Sequence, residues 1–271
     1  MHPAERQRPP PGALYVDHVS HFVPDLDAAA GAFEALGFRV TPASAQRTPQ
    51  GPVGAANRCV MLDEGYIELL SPTHDTPPAQ RMRELMRRYP GVHLVCFGTP
   101  DAGAEQQRLA AHGFEPQATV SLEREVAGGT ARFKVVRPAP AKMPEGRIQF
   151  VEQLTPALLW REPDLNAFGL AEVYVAAHDV VATAARWAEL AGLIPRPLAR
   201  TVRLETERGA IVIGPPPPAT AAPGILGYSL ACRHPDRLAA RCSQHGLQVR
   251  RYAGRYTARL PAALGGYLVF G

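Results

Sequence analysis

A phrase repeated four times limits what this chain can become more than any other feature. An apolar, β-like run leads into Asp, usually as Pro-Asp, then into a helical stretch, then into Gly followed by Phe or Leu. The first copy is residues 13–23, Pro24-Asp25, a helix over 26–36 and Gly37-Phe38. The second is 91–97, Pro100-Asp101, a helix and Gly113-Phe114. The third runs 170–175, Asp179, a helix carrying Trp187 and Leu190, and Gly192-Leu193. The fourth is 226–231, Pro235-Asp236, a helix and Gly246-Leu247. Asp at the turn is a natural helix N-cap, because its carboxylate accepts from the first free backbone amides. Gly at the far end supplies the left-handed residue that ends a helix. Each copy continues through short β-like segments to a closing strand, at 66–70, 148–154, 210–213 and 267–270. The repeat predicts an α+β fold of four βαβββ modules, at 13–73, 90–157, 167–216 and 224–271.

The modules pair as two tandem domains, 13–157 and 167–271. A helical stretch around Arg81 to Arg88 joins the first two modules. Residues 158–166 form a connector whose Trp160 is expected to pack between the halves. Residues 1–12, with Pro9-Pro10-Pro11, read as a disordered arm.

Bulk properties exclude several function classes. Of 271 residues, 46% are hydrophobic and 20% charged, within the range of globular proteins. The net charge of +4 is scattered rather than massed, which argues against nucleic-acid binding. No apolar run is long enough to span a bilayer, and the N-terminal residues lack the hydrophobic segment of a secretory signal. Cys59, Cys96, Cys232 and Cys242 form no CxxC pair and read as reduced core thiols of a cytoplasmic protein.

The chemistry-bearing residues sit in the strands. Glu68 lies inside the apolar run Gly65-Tyr66-Ile67-Glu68-Leu69-Leu70-Ser71-Pro72, and a similar phrase recurs as Val151-Glu152-Gln153-Leu154-Thr155-Pro156. A carboxylate in a buried strand is costly unless paired or bound to a metal. His18 and His93 lie midway along the opening strands of the same two modules. Aligning the two phrases predicts that His18, Glu68, His93 and Glu152 face one cleft as a divalent metal site. His21 and Cys96 each lie three residues from a candidate histidine, on the other face of the strand. His74, His112 and His234 fall in loops or at helix ends. Arg58, Arg132 and Lys134 lie in or near the middle strands and are the candidate contacts to a substrate.

The motifs Val16-Asp17-His18-Val19 with Pro24-Asp25-Leu26-Asp27, Gly65-Tyr66-Ile67-Glu68-Leu69, Gly91-Val92-His93-Leu94 and Phe150-Val151-Glu152 together resemble the vicinal oxygen chelate superfamily, in particular its glyoxalase-like branch. The resemblance implies paired modules forming a half-open barrel of eight strands, with metal ligands on the first and last strand of each module. It implies His18, Glu68, His93 and Glu152 as ligands of Ni, Zn, Co, Mn or Fe. It also implies a lyase or isomerase working through an enediolate of a small oxygenated carbonyl substrate, with Glu152 as first choice of base and Glu68 as the alternate. Two alternatives stay open: a non-haem Fe(II) dioxygenase using His18, His93 and Glu152, and a non-catalytic small-molecule binding or resistance protein. Modules three and four hold Glu172, Val212, Tyr228 and Val269 at the corresponding places, so the second domain is expected to be degenerate and metal-free. The expected partner is a small molecule, with no nucleic acid and no membrane, and a homodimer is left open.

Overall fold

The computed structural model describes residues 13–159, 167–217 and 223–271. The expected N-terminal arm, Trp160 and most of the connector lie outside the described residues. The four-module frame is present. Strands β1 (Tyr15–Phe22), β2 (Ser44–Thr48), β3 (Gly51–Met61) and β4 (Tyr66–Pro72) come from the first module. The second supplies β5 (Gly91–Gly98), β6 (Val120–Val126), β7 (Gly129–Val136) and β8 (Arg147–Gln153). These eight form a closed barrel in the order β1-β4-β3-β2-β6-β7-β8-β5. The expected half-open barrel is therefore closed in this half. The closing seam is narrow: β2 pairs with β6 at Arg47 and Glu123 alone, reinforced by ion pairs from Arg47 to Glu123 and Glu125.

The remaining modules supply β9 (Ala167–Ala176), β10 (Pro195–Leu198), β11 (Thr201–Glu205), β12 (Ala210–Gly214), β13 (Gly224–Cys232), β14 (Val249–Tyr252), β15 (Arg255–Arg259) and β16 (Tyr267–Phe270). They form an eight-stranded open sheet with β10 and β14 as its edges. Pro195 and Pro197 remove two amide donors from β10, which blunts that edge against pairing with another chain.

The helices follow the repeated grammar. They are α1 (Leu26–Ala35), α2 (Pro77–Met86), α3 (Ala102–Ala111), α4 (Val180–Ala191) and α5 (Pro235–Gln244). Asp25 caps α1 by accepting from Asp27 N and Ala28 N, and Asp101 and Asp179 cap α3 and α4 in the same way. The fourth copy differs: Pro235 and Asp236 fall inside the first turn of α5, after His234. None of these helices is long and apolar enough to cross a membrane.

One apolar core joins the barrel to the open sheet. Val16, Val19, Phe33 and Phe97 from the first half share it with Val173, Trp187, Tyr228 and Leu268 from the second. Polar ties cross the same interface. His21 Nδ1 contacts Leu264 O at 2.9 Å and its Nε2 contacts Tyr228 Oη at 3.1 Å. Trp187 Nε1 donates to Glu145 Oε2 at 3.2 Å, and Arg186 pairs with the same carboxylate. A second, smaller apolar cluster lines the barrel interior, with Phe22, Tyr66, Leu70, Leu94, Phe133 and Val151.

Candidate active site

The barrel encloses a cavity of about 420 Å³. Alternation along each strand decides what reaches it. From β4, Tyr66, Glu68 and Leu70 face inward; from β8, Arg147, Gln149 and Val151 do so. His18 enters from β1 and Leu94 from β5.

His18 and Glu68 meet as expected, with His18 Nε2 at 3.8 Å from Glu68 Oε2. Both are nearly fully buried. The imidazole is fixed on two sides: Tyr66 stacks on it with centroids 4.2 Å apart, and its Nδ1 lies 2.6 Å from Asp17 Oδ1. Asp17 can approach its own neighbour because β1 carries a bulge there, the register with β5 slipping between Val16 and His18. Gln153 Nε2 also reaches the Asp17 carboxylate, at 3.3 Å. Burial works against charge on His18, but the Cys96 sulfur and the Asp17 carboxylate outweigh it and carry the pKa well above the usual imidazole range. Burial pushes the Cys96 thiol up as well.

Glu68 is held by three donors. Asn57 Nδ2 donates at 2.6 Å and Gln46 Nε2 at 3.2 Å to Oε1, while Ser20 Oγ donates to Oε2. Gly65, in the turn before β4, is needed for this placement. It adopts φ +76, and a Cβ there would come within 2.7 Å of Asp17 O.

The other two expected ligands are not in the cavity. His93 Nε2 lies 2.8 Å from Tyr89 O, and its ring stacks on Tyr89 and tilts against Phe22. Glu152 Oε2 accepts from Ala102 N at the start of α3, with Lys134 Nζ at 3.9 Å, outside the barrel. The cause is a slip in register. Asp101 follows Asp25 by 76 residues, whereas His93 follows His18 by 75, so the true partner of His18 is Leu94. The bulges agree, since β5 is bulged at His93 as β1 is at Asp17. On the closing strands, Val23 N bonds to Leu70 O where Thr99 N bonds to Val151 O, which makes Gln149 the partner of Glu68. A slip by an odd number of residues turns a strand side chain to the opposite face. The two similar phrases are therefore offset by three, and Glu152 corresponds to Ser71.

The four cavity-facing positions thus hold His18, Glu68, Leu94 and Gln149. They supply one imidazole and one carboxylate, fewer than the three protein ligands of a catalytic zinc site or a facial triad. Gln149 Oε1 is already engaged by Arg137 Nε at 3.0 Å, and Glu68 by the three donors above. Asp17, His18 and Cys96 also place donor atoms within 4.8 Å of one another, but around a hydrogen-bonded Asp–His pair and a protonated thiol. This donor set does not fit a tightly held divalent ion, and the triad His18, His93 and Glu152 is not assembled.

The expected substrate contacts also move. Arg58 is tied to Thr41 O, Asp27 and Glu34 beside α1. Arg132 and Lys134 face outward on β7 toward Glu123 and Glu152. The arginines that line the cavity are instead Arg81, Arg88, Arg124, Arg137 and Arg147, and none was anticipated. Their signal was present in the sequence. Ala131, Phe133 and Val135 mark the inner face of β7, which excludes Arg132 and Lys134, and Arg124 shares its parity with Leu122.

In the open sheet Glu172 stands at the place of His18. It accepts from Tyr174 Oη, Arg203, Ser229 Oγ and Arg255. Burial works to raise its pKa, but Tyr174, Arg255 and Arg203 outweigh it and bring it down to about 2. Val212 and Val269 line strands here without a carboxylate. Tyr228 is part of the core against His21.

His21 and His93 titrate together in one prediction. Burial pushes each imidazole down to about 4. Between that value and the ordinary ~6.5 the unfolded chain binds the extra protons and the folded one does not. Stability is therefore expected to fall as pH drops from about 6.5 to about 4. Urea unfolding across that range checks this, and His21→Gln should make the decline shallower.

Paired βαβββ modules around a central cavity define the vicinal oxygen chelate architecture. Residues 16–191 match the family model described as a glyoxalase-like domain, and the chain belongs to that family. No curated protein sequence matches it significantly. Among solved structures it is similar to a hypothetical protein from Staphylococcus aureus, at 14% identity and TM-score 0.69, covering 95% of this chain and 98% of that one. It is also similar to the Mn(II)-bound glyoxalase from Novosphingobium aromaticivorans, at 12% identity and TM-score 0.62, covering 95% and 81%. A variant of 4-hydroxymandelate synthase from Streptomyces coelicolor matches at 15% identity and TM-score 0.54, covering 95% and 92%. At these identities the likeness is one of fold.

Proposed function

We propose that this protein is a lyase or isomerase that moves a proton between adjacent carbons of a small oxygenated carbonyl compound. The observation that carries the reading is the pairing of His18 Nε2 and Glu68 Oε2 at 3.8 Å in the barrel cavity. Glu68 is the base. Its anchoring by Ser20, Asn57 and Gln46 aims it into the cavity. It takes a proton from the carbon beside the carbonyl, and negative charge develops on the carbonyl oxygen. His18, protonated and oriented through Asp17, donates from Nε2 to that oxygen. Return of the proton from Glu68 to the former carbonyl carbon, with the proton of the adjacent hydroxyl passing back to His18 Nε2 as the new carbonyl forms, gives an isomer; departure of a leaving group from the carbon beyond, as its anion, gives elimination.

The experiment is proton NMR in deuterium oxide with hydroxyacetone, glyceraldehyde and pyruvate. Protein-catalysed exchange of a hydrogen next to the carbonyl is expected for at least one of them. Absence of exchange with all three would overturn the reading. A second reading, a non-catalytic binding protein, is favoured by the same three donors on Glu68, which could serve only to hold a binding group. It predicts ligand binding without exchange.

A further inference from the structure

Three guanidinium groups in the barrel cavity have no carboxylate partner among the described residues. Arg124 on β6 is 5% exposed, yet its contacts are Asn57 Oδ1 at 3.3 Å, Cys59 Sγ at 3.9 Å and the Phe133 ring at 5.9 Å. Arg137, just past β7, donates to the Gln149 side chain. Arg147, at the start of β8, makes no side-chain hydrogen bond or ion pair with a described residue. Glu68 is the one carboxylate lining the cavity among the described residues, and Ser20, Asn57 and Gln46 already hold it.

Charge is handled differently elsewhere in the chain. Arg203 and Arg255 both pair with Glu172, Arg186 with Glu145 and Arg233 with Asp63. A guanidinium taken out of water without a counter-charge is unfavourable unless an anion joins it. The crowding is felt at Arg147, where burial first and then the neighbouring Arg137 push the pKa down to about 9.

We infer that the ligand of this cavity carries an oxyanion, a carboxylate or a phosphate, seated among Arg124, Arg137 and Arg147. Guanidinium forks match the paired oxygens of either group. Asn57 donates to Glu68 and accepts from Arg124, so the anionic and reacting ends of the ligand lie one amide apart. That spacing suits a short molecule such as a 2-oxo acid or a phosphorylated hydroxycarbonyl compound. The inference rests on the reading of this cavity as the substrate site and names the substrate class for it.

Isothermal titration tests it with inorganic phosphate, pyruvate and hydroxyacetone, the last being an uncharged analogue of pyruvate. Phosphate, pyruvate or both are expected to bind saturably, and hydroxyacetone at least about tenfold more weakly than the better anion. Which anion binds tells carboxylate from phosphate. Arg147→Gln and Arg137→Gln are each expected to weaken that anion by at least about tenfold, with circular dichroism confirming an unchanged fold. Failure of both anions to bind, equal binding of hydroxyacetone, or wild-type affinity in Arg147→Gln would each overturn the inference. Anion binding that depends on Arg147, in a protein showing no proton exchange, would sustain it while removing the proton-transfer reading.

Discussion

Replacing Glu68 with Gln is expected to lower the rate of proton exchange by about 10²–10⁴-fold, the usual contribution of a positioned base. The amide is nearly isosteric: its oxygen can still accept from the Asn57 and Gln46 amides, and its NH2 can donate to Ser20 Oγ, whose hydroxyl then accepts. The loss should therefore appear in turnover, with ligand affinity changed little. Gln cannot take a proton from carbon, which separates this outcome from a packing defect. Asp17→Asn provides a graded comparison. It keeps the shape beside His18 Nδ1 but removes the carboxylate that favours the imidazolium, so exchange should weaken most at the alkaline side of the pH profile. An unchanged profile in Asp17→Asn would count against His18 acting as a cation.

The second large effect is structural. Trp187→Ala should destabilise the protein by about 3–5 kcal/mol, the range for truncating a fully buried aromatic side chain. Trp187 is 0% exposed in the core shared by the barrel and the open sheet. The substitution also removes the indole N–H from Glu145, a carboxylate only 3% exposed, and leaves it Arg186 alone. Denaturant unfolding measures the loss, and a change below about 1 kcal/mol would mean that the site collapses around the gap.

Much of the architecture was legible because the repeat punctuates itself. Asp25, Asp101 and Asp179 cap helices as their positions suggested, and Gly192 ends α4 in the left-handed conformation. The candidate site was only half legible. His18 and Glu68 lie in one module, where no alignment between modules is needed, and they meet. His93 and Glu152 depended on aligning look-alike phrases, and strands penalise an odd offset by reversing the side chain. Counting from the helix caps would have given Leu94. The bulge that brings Asp17 beside His18 leaves no mark on the residue types. The arginines were readable from period-two alternation, but only for a reader who asked which face of β7 was apolar. Narrow closure of the barrel at Arg47 and Glu123 could not be read, because a single bridge between strands far apart in sequence has no local pattern.

Glu172 shows how the same frame loses its cavity chemistry. It occupies the place of His18 in the open sheet, but Arg203 and Arg255 saturate it. In the barrel cavity Arg124, Arg137 and Arg147 have no carboxylate partner among the described residues, and Glu68 stands beside an imidazole.

We propose that His18 and Glu68 transfer a proton in this cavity without a resident metal ion. The most direct measurement is the exchange rate in deuterium oxide before and after exhaustive treatment with a chelator, with metal content determined on the same samples. An unchanged rate is expected in the chelator-treated wild type and a lost one in Glu68→Gln. A rate abolished by the chelator and restored by Mn, Zn, Ni, Co or Fe would contradict the proposal.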